Sequence, residues 1–91
     1  MAIGVFDSGI GGLTVLKSLV ENFPLETFIY LGDTARLPYG SKSTETIRKY
    51  SEQNISFLLD HDVKAVVIAC NSASSQFLES SWQGINIYNV I

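Results

Sequence analysis

The run Ala2-Ile3-Gly4-Val5-Phe6-Asp7-Ser8-Gly9-Ile10-Gly11-Gly12-Leu13 decides how the whole chain is read. Its first part, Ala2 to Phe6, is a short β-rich apolar stretch that ends in the polar and small residues Asp7-Ser8-Gly9. Gly9, Gly11 and Gly12 then supply the backbone freedom of a tight turn from strand into helix. Beyond the turn, Leu16, Leu19, Val20 and Phe23 recur at helical spacing, with Lys17, Ser18, Glu21 and Asn22 on the other side, until Pro24 stops the run.

The same alternation continues outward. Thr27 to Leu31 reads as a second strand closed by Gly32-Asp33, and Thr34 to Lys42, with Pro38 and Gly40, as a loop. Ser43 is placed to cap a second helix, with Glu45 in its first turn. Ile47, Ile55, Leu58 and Leu59 share one face with the small Ser51, and the helix is expected to reach Asp60 or Asp62. Ala65 to Ala69 is a near-continuous apolar run, the pattern of a strand buried on both faces, and it stops at Cys70-Asn71. A short third helix is expected from Ser72 to Ser80 and a fourth strand from Ile85 to Ile91. The order βαβαβαβ predicts an α/β fold: a three-layer, doubly wound parallel sheet in a single domain over residues 1–91. The string closes on Val90-Ile91 inside an apolar strand with no turn after it, so a piece of a larger protein is expected.

Composition narrows the function classes. The 91 residues, 46% hydrophobic and 16% charged, suffice for one modest core and exclude disorder. Apolar runs such as Val66-Val67-Ile68-Ala69 fall far short of the roughly 20 residues that span a bilayer. Met1-Ala2-Ile3 lacks the basic start of a signal peptide, so no membrane partner and a cytoplasmic location are expected. Six basic residues against nine acidic ones, without a Lys/Arg cluster, argue against nucleic acid. The lone Cys70 forms no internal disulfide and rules out a structural zinc site, leaving packing or chemistry.

In a doubly wound sheet, ligands bind beyond the carboxyl ends of the strands where strand order reverses. If the strands take the common order 2-1-3-4, Asp7-Ser8 and Cys70-Asn71-Ser72 would lie side by side at that edge, a carboxylate beside a thiol. Taken alone, a cysteine ending an apolar strand is more often inert and buried than reactive. Against that, Cys70 stands where a strand gives way to a helix, so the free N–H groups of Asn71, Ser72 and Ala73 favour a thiolate, while Asp7 disfavours it on charge yet can receive its proton. Asn71-Ser72 reads equally as a helix N-cap and as a place to hold a small carboxylate.

A nucleotide reading of the glycine turn is the rival, because Asp33 ends the second strand where a dinucleotide-binding fold places its ribose acid. The third glycine of that motif falls at Thr14, however, and Asp7 stands where a pyrophosphate would lie. No Gly-Lys-Ser/Thr occurs, and Cys70 takes the position of a receiver-domain carboxylate. A non-catalytic interaction fragment is the other alternative. His61 is read as a residue favoured by a helix C-terminus and Trp82 as packing, whereas Tyr39 and Gly40 are either turn chemistry or a loop closing over a bound molecule.

Three strings carry a resemblance to a known family. Ile3-Gly4-Val5-Phe6-Asp7-Ser8-Gly9-Ile10-Gly11-Gly12-Leu13-Thr14-Val15, Tyr30-Leu31-Gly32-Asp33-Thr34-Ala35-Arg36-Leu37-Pro38-Tyr39-Gly40 and Val67-Ile68-Ala69-Cys70-Asn71-Ser72-Ala73-Ser74 resemble the N-terminal half of glutamate racemases. These are the cofactor-independent members of the aspartate/glutamate racemase superfamily. The resemblance implies interconversion of L- and D-glutamate for peptidoglycan synthesis and cell shape, with no metal and no cofactor. It makes Cys70 one of two acid/base thiols, the one serving the D-glutamate face, with Asp7 helping it handle protons. Asp7, Ser8, Tyr39, Gly40, Asn71 and Ser72 match the family's substrate-binding positions, Ser72 standing where many members have threonine. The family's second thiol belongs to a second α/β domain after residue 91, and a homodimer is expected of the full-length enzyme. This chain is therefore expected to hold half an active site and to be inactive alone for net racemisation.

The chemistry fits those residue types. Inverting a stereocentre without a cofactor needs a base on one face and an acid on the other, which two opposed thiols provide. Donors around the substrate carboxylate, such as the N–H groups after Asn71 and the Ser72 hydroxyl, would stabilise the charge gathering there.

Overall fold

A computed structural model describes residues 1–90. In chain order the elements are β1 (Ala2–Asp7), α1 (Leu13–Asn22), β2 (Phe28–Gly32), α2 (Thr44–Leu59), β3 (Val63–Ile68), α3 (Asn71–Gln76), β4 (Ser81–Trp82) and β5 (Ile85–Asn89). Two short 3-10 turns, Thr34–Arg36 and Tyr39–Ser41, break the loop between β2 and α2. The sheet runs β2-β1-β3-β5-β4, with β2, β1, β3 and β5 parallel. The expected parallel order therefore holds, with β5 as the fourth parallel strand. The part of that strand expected at Ile91 lies outside the described residues.

Two features differ from the sequence reading. The third helix ends at Gln76, because Phe77 leaves helical geometry (φ −117°, ψ 89°) and turns fully into the core. There it meets Trp82 edge-on at 6.0 Å and lies under the Arg48 guanidinium at 5.0 Å. An antiparallel edge strand, β4, was not anticipated. It folds back onto β5 through Gln83 and Gly84, both at positive φ (51° and 81°), the hand that matches strand twist in a two-residue hairpin.

The sheet is covered unequally. Ser43 caps α2 by accepting the Thr46 N–H at 3.1 Å, and Ile47, Ser51, Ile55 and Leu58 are buried against Phe6, Val66 and Ile68. The stepping β2 to β3 to β5 is in one direction, so right-handed crossovers set α2 and α3 on one face and α1 on the other. Helix α1 has no buried residue, and Ala65 and Val67 of β3 are only half-buried. The apolar run expected to be buried on both faces is thus sealed on the α2 face alone among the described residues. No helix among them is long and apolar enough to cross a membrane.

Candidate active site

The carboxyl ends of β1 and β3 meet in a cleft of about 400 Å³. Asp7, Ser8, Cys70, Asn71 and Ser72 line it, so the structure brings together five of the seven residues chosen from the sequence. Gly11, Thr14, Val15, Ala69 and Val90 complete its wall. The strands place these side chains: Phe6 pairs with Ile68 in register, and the Ala69 N–H donates to the Phe6 carbonyl at 2.8 Å. The next residues along, Asp7 and Cys70, therefore emerge at the same edge.

Asp7 is 1% exposed and held by its own turn. Oδ2 accepts the Gly12 N–H at 2.7 Å and the Tyr30 hydroxyl at 2.5 Å, and Oδ1 accepts the Gly9 N–H at 3.3 Å. Gly12 has to be glycine, since a Cβ there would stand 2.8 Å from the Ala69 carbonyl oxygen and 2.9 Å from Asp7 Cγ. Burial, then the hydrogen bond to Asp7 and its charge, raise the Tyr30 phenol far above the ordinary tyrosine range, so it stays protonated and able to donate to Asp7.

Cys70 itself, and not Asn71 or Ser72, is the N-cap of α3. In extended geometry (φ −126°, ψ 133°), its Sγ accepts the Ala73 N–H at 3.3 Å. The helix thus begins one residue before the expected Ser72. Cys70 is 8% exposed, open enough to face the cleft, and it is not hydrogen-bonded to Asp7. Ser74, one turn on, donates to the Ile68 carbonyl at 3.2 Å and accepts the Val90 N–H at 3.2 Å, tying α3 to the strand ends.

Tyr39 and Gly40 stand apart from the cleft wall. The Tyr39 side chain is buried, 6.2 Å from the Phe6 ring and 5.6 Å from that of Tyr50, and its hydroxyl donates to Asp33 Oδ2 at 2.5 Å. Gly40 lies beside α3, where a side chain would begin 3.8 Å from Ser72 Oγ. Asp33 Oδ2 also accepts from Asn54 Nδ2 at 2.9 Å and Arg36 Nε at 2.8 Å, and Arg36 stacks 3.9 Å over the Tyr50 ring. Burial pushes the Asp33 carboxyl up, but the hydrogen bonds from Tyr39, Asn54 and Arg36 and the guanidinium charge outweigh it and hold it below the usual range.

This geometry weakens the nucleotide reading at both of its supports. The turn amides that would meet a pyrophosphate already donate to Asp7, and the acid that would meet a ribose is engaged by three side chains. His61 follows α2, and its Nδ1–H donates to the Phe57 carbonyl at 2.9 Å, in keeping with a helix C-terminus. Sequence reasoning missed Tyr30 and Asn54. For Tyr30 a signal existed: it pairs with Val5, two residues before Asp7, so strand periodicity places it on the Asp7 side of the sheet.

No family model matches the chain. It is 55% identical over 86 residues to the glutamate racemase of Geobacter metallireducens, covering 94% of this chain and 32% of that protein. Among solved structures, glutamate racemase from Thermus thermophilus in complex with β-chloro-D-alanine superposes with TM-score 0.95 and 48% identity, over 99% of this chain and 36% of the other. Glutamate racemase from Francisella tularensis in complex with D-glutamate matches with TM-score 0.83 and 44% identity, over 98% of this chain and 35% of that one. The chain spans between about a quarter and a third of the length of the curated relatives it matches. That similarity puts this parallel α/β domain in the aspartate/glutamate racemase superfamily. Within that class the chain belongs to the glutamate racemase family.

Proposed function

We propose that this chain supplies the D-glutamate-facing half of a cofactor-independent glutamate racemase site, with Cys70 as the acid/base thiol. The observation that carries the reading is the shared cleft of Asp7, Ser8, Cys70, Asn71 and Ser72, in a chain so similar to glutamate racemases. In this reading the Cys70 thiolate takes the α-proton of D-glutamate: the C–H bond breaks, an S–H bond forms, and the electron pair spreads into the substrate carboxylate. The hydroxyls of Ser8 and Ser72 and the Asn71 amide answer that charge. Asp7, locked by Tyr30 and its own turn, accepts the thiol proton and returns it. Tyr39 contributes by fixing the backbone that presents Gly40 beside Ser72, since its hydroxyl is taken by Asp33.

A second thiol, on a second α/β domain, delivers a proton to the opposite face and completes inversion. The complete enzyme, as we read it, is a cytoplasmic homodimer that makes D-glutamate for peptidoglycan. The test is to incubate the chain in D2O, under reducing conditions, with each enantiomer of glutamate and to follow the α-proton by NMR and inversion by polarimetry. Exchange with D-glutamate but without inversion, abolished by Cys70→Ala, is expected. Exchange that survives Cys70→Ala, or no exchange with either enantiomer, would reject a working half-site in this chain.

A further inference from the structure

We propose that Tyr30 is a positioning residue for Asp7, and through Asp7 for the reactivity of Cys70. The two carboxylate oxygens of Asp7 are unequally engaged. Oδ2 receives two short donors, the Tyr30 hydroxyl at 2.5 Å and the Gly12 N–H at 2.7 Å, whereas Oδ1 receives one long contact from the Gly9 N–H at 3.3 Å. A carboxylate has about four acceptor directions, so Oδ1 is the oxygen left with capacity for a proton from the cleft. A buried carboxylate that could rotate would exchange the two oxygens and lose that distinction. Tyr30 prevents the rotation from a different strand: it stands on β2, paired with Val5 of β1, and its hydroxyl lies 3.0 Å from the Gly9 carbonyl as well.

Tyr30 does not line the cleft. Any influence it has on Cys70 therefore runs through Asp7, which separates it from a substrate-binding residue. Its phenol stays protonated because burial and the Asp7 charge oppose ionisation, so it remains a donor throughout the working range.

The experiment compares the chain with Tyr30→Phe, Asp7→Asn and the double variant, the phenylalanine keeping the ring and its packing. Circular dichroism checks that each is folded. The alkylation rate of Cys70 by iodoacetamide reads the coupling without substrate, and the D-glutamate α-proton exchange rate in D2O reads it with substrate. The second readout rests on the proposed racemase half-site and the first does not. Tyr30→Phe is expected to lower the maximal exchange rate about tenfold, with half-saturation unchanged within about twofold, the pattern of a group that acts on the chemical step and not on binding. It is also expected to shift the alkylation rate by at least about threefold. Both effects should vanish in the Asp7→Asn background, as coupled residues require.

Alkylation at the parent rate in Tyr30→Phe, or a shift that persists undiminished without the Asp7 carboxylate, would overturn the proposal. Coupled alkylation with no exchange in any variant would support the role of Tyr30 while rejecting the racemase half-site. Exchange in the parent that is untouched by Tyr30→Phe would leave the half-site and remove Tyr30 from it.

Discussion

Asp7 ends β1 and Asp33 directly follows the adjacent parallel β2; their backbones touch through the Asp33 N–H and the Asp7 carbonyl at 2.9 Å, and each accepts a tyrosine hydroxyl at 2.5 Å. Their surroundings then diverge. Asp33 is bound by an arginine and an asparagine as well and lies outside the cleft wall. Asp7 has no cation, takes its other donors from the backbone of its own turn, keeps one oxygen lightly engaged and lines the cleft. The same residue type in equivalent places in the topology is a fastener in one case and a candidate reagent in the other. Residual acceptor capacity at a cleft, and not burial or the tyrosine contact, separates them.

The largest test of that contrast is catalytic. Asp7→Asn should lower D-glutamate α-proton exchange by about 100-fold, the lower range for removing an acid/base group, while Asp33→Asn stays within about threefold of the parent. Comparable losses at both positions would erase the distinction. Stability should show the reverse emphasis. Asp33→Ala strands the donors of Tyr39, Asn54 and Arg36 and should cost about 2–3 kcal/mol in urea unfolding.

A smaller effect comes from the turn that holds Asp7. Gly12→Ala places a Cβ against the Ala69 carbonyl and Asp7 Cγ and should cost about 1–3 kcal/mol, whereas at Gly11, with open space around it, alanine should change stability by less than about 0.5 kcal/mol. Thermal melts of the pair decide this, and equal effects would mean the turn relaxes freely around Asp7.

The smallest expected effects are in pH dependence. Asp33 has a lowered folded value, so its contribution to stability is fully present above about pH 4, the unfolded aspartate value, and fades as pH falls through the folded one. The stability gap between the parent and Asp33→Asn should accordingly narrow in acid. Tyr30 has a raised folded value, so its contribution is present below about pH 10 and lost as pH rises beyond that. Tyr30→Phe should flatten the alkaline limb of the melting profile. An unchanged limb would show that the hydroxyl adds nothing to folding.

Much of this was legible in the chain. Ala2 to Phe6, the glycine turn and the Leu16/Leu19/Val20 spacing announced the first βα unit, and polar residues at each strand end marked the edge where chemistry gathers. Ser43 signalled its helix start correctly because an N-cap is a local interaction within one turn. The hairpin at Gln83-Gly84 escaped notice because a two-residue strand has no periodicity and glutamine is an unusual residue at positive φ. The early end of α3 escaped too, since Phe77 leaves the helix for a core built by residues far away in the chain.

By itself the sequence determined the alternation of strands and helices and the polar strand ends Asp7-Ser8 and Cys70-Asn71-Ser72, which meet once the strands take the common order 2-1-3-4. The alternation and the strand ends follow from local periodicity and turn chemistry, which depend on neighbouring residues. Only the tertiary structure decided that Tyr30 grips Asp7, that Asp33 gathers Arg36, Tyr39 and Asn54, and that the Tyr39 hydroxyl is engaged away from the cleft. A hydrogen bond forms within about 3 Å, and which side chains come that close across strands and helices depends on register and packing that spacing along the chain does not encode.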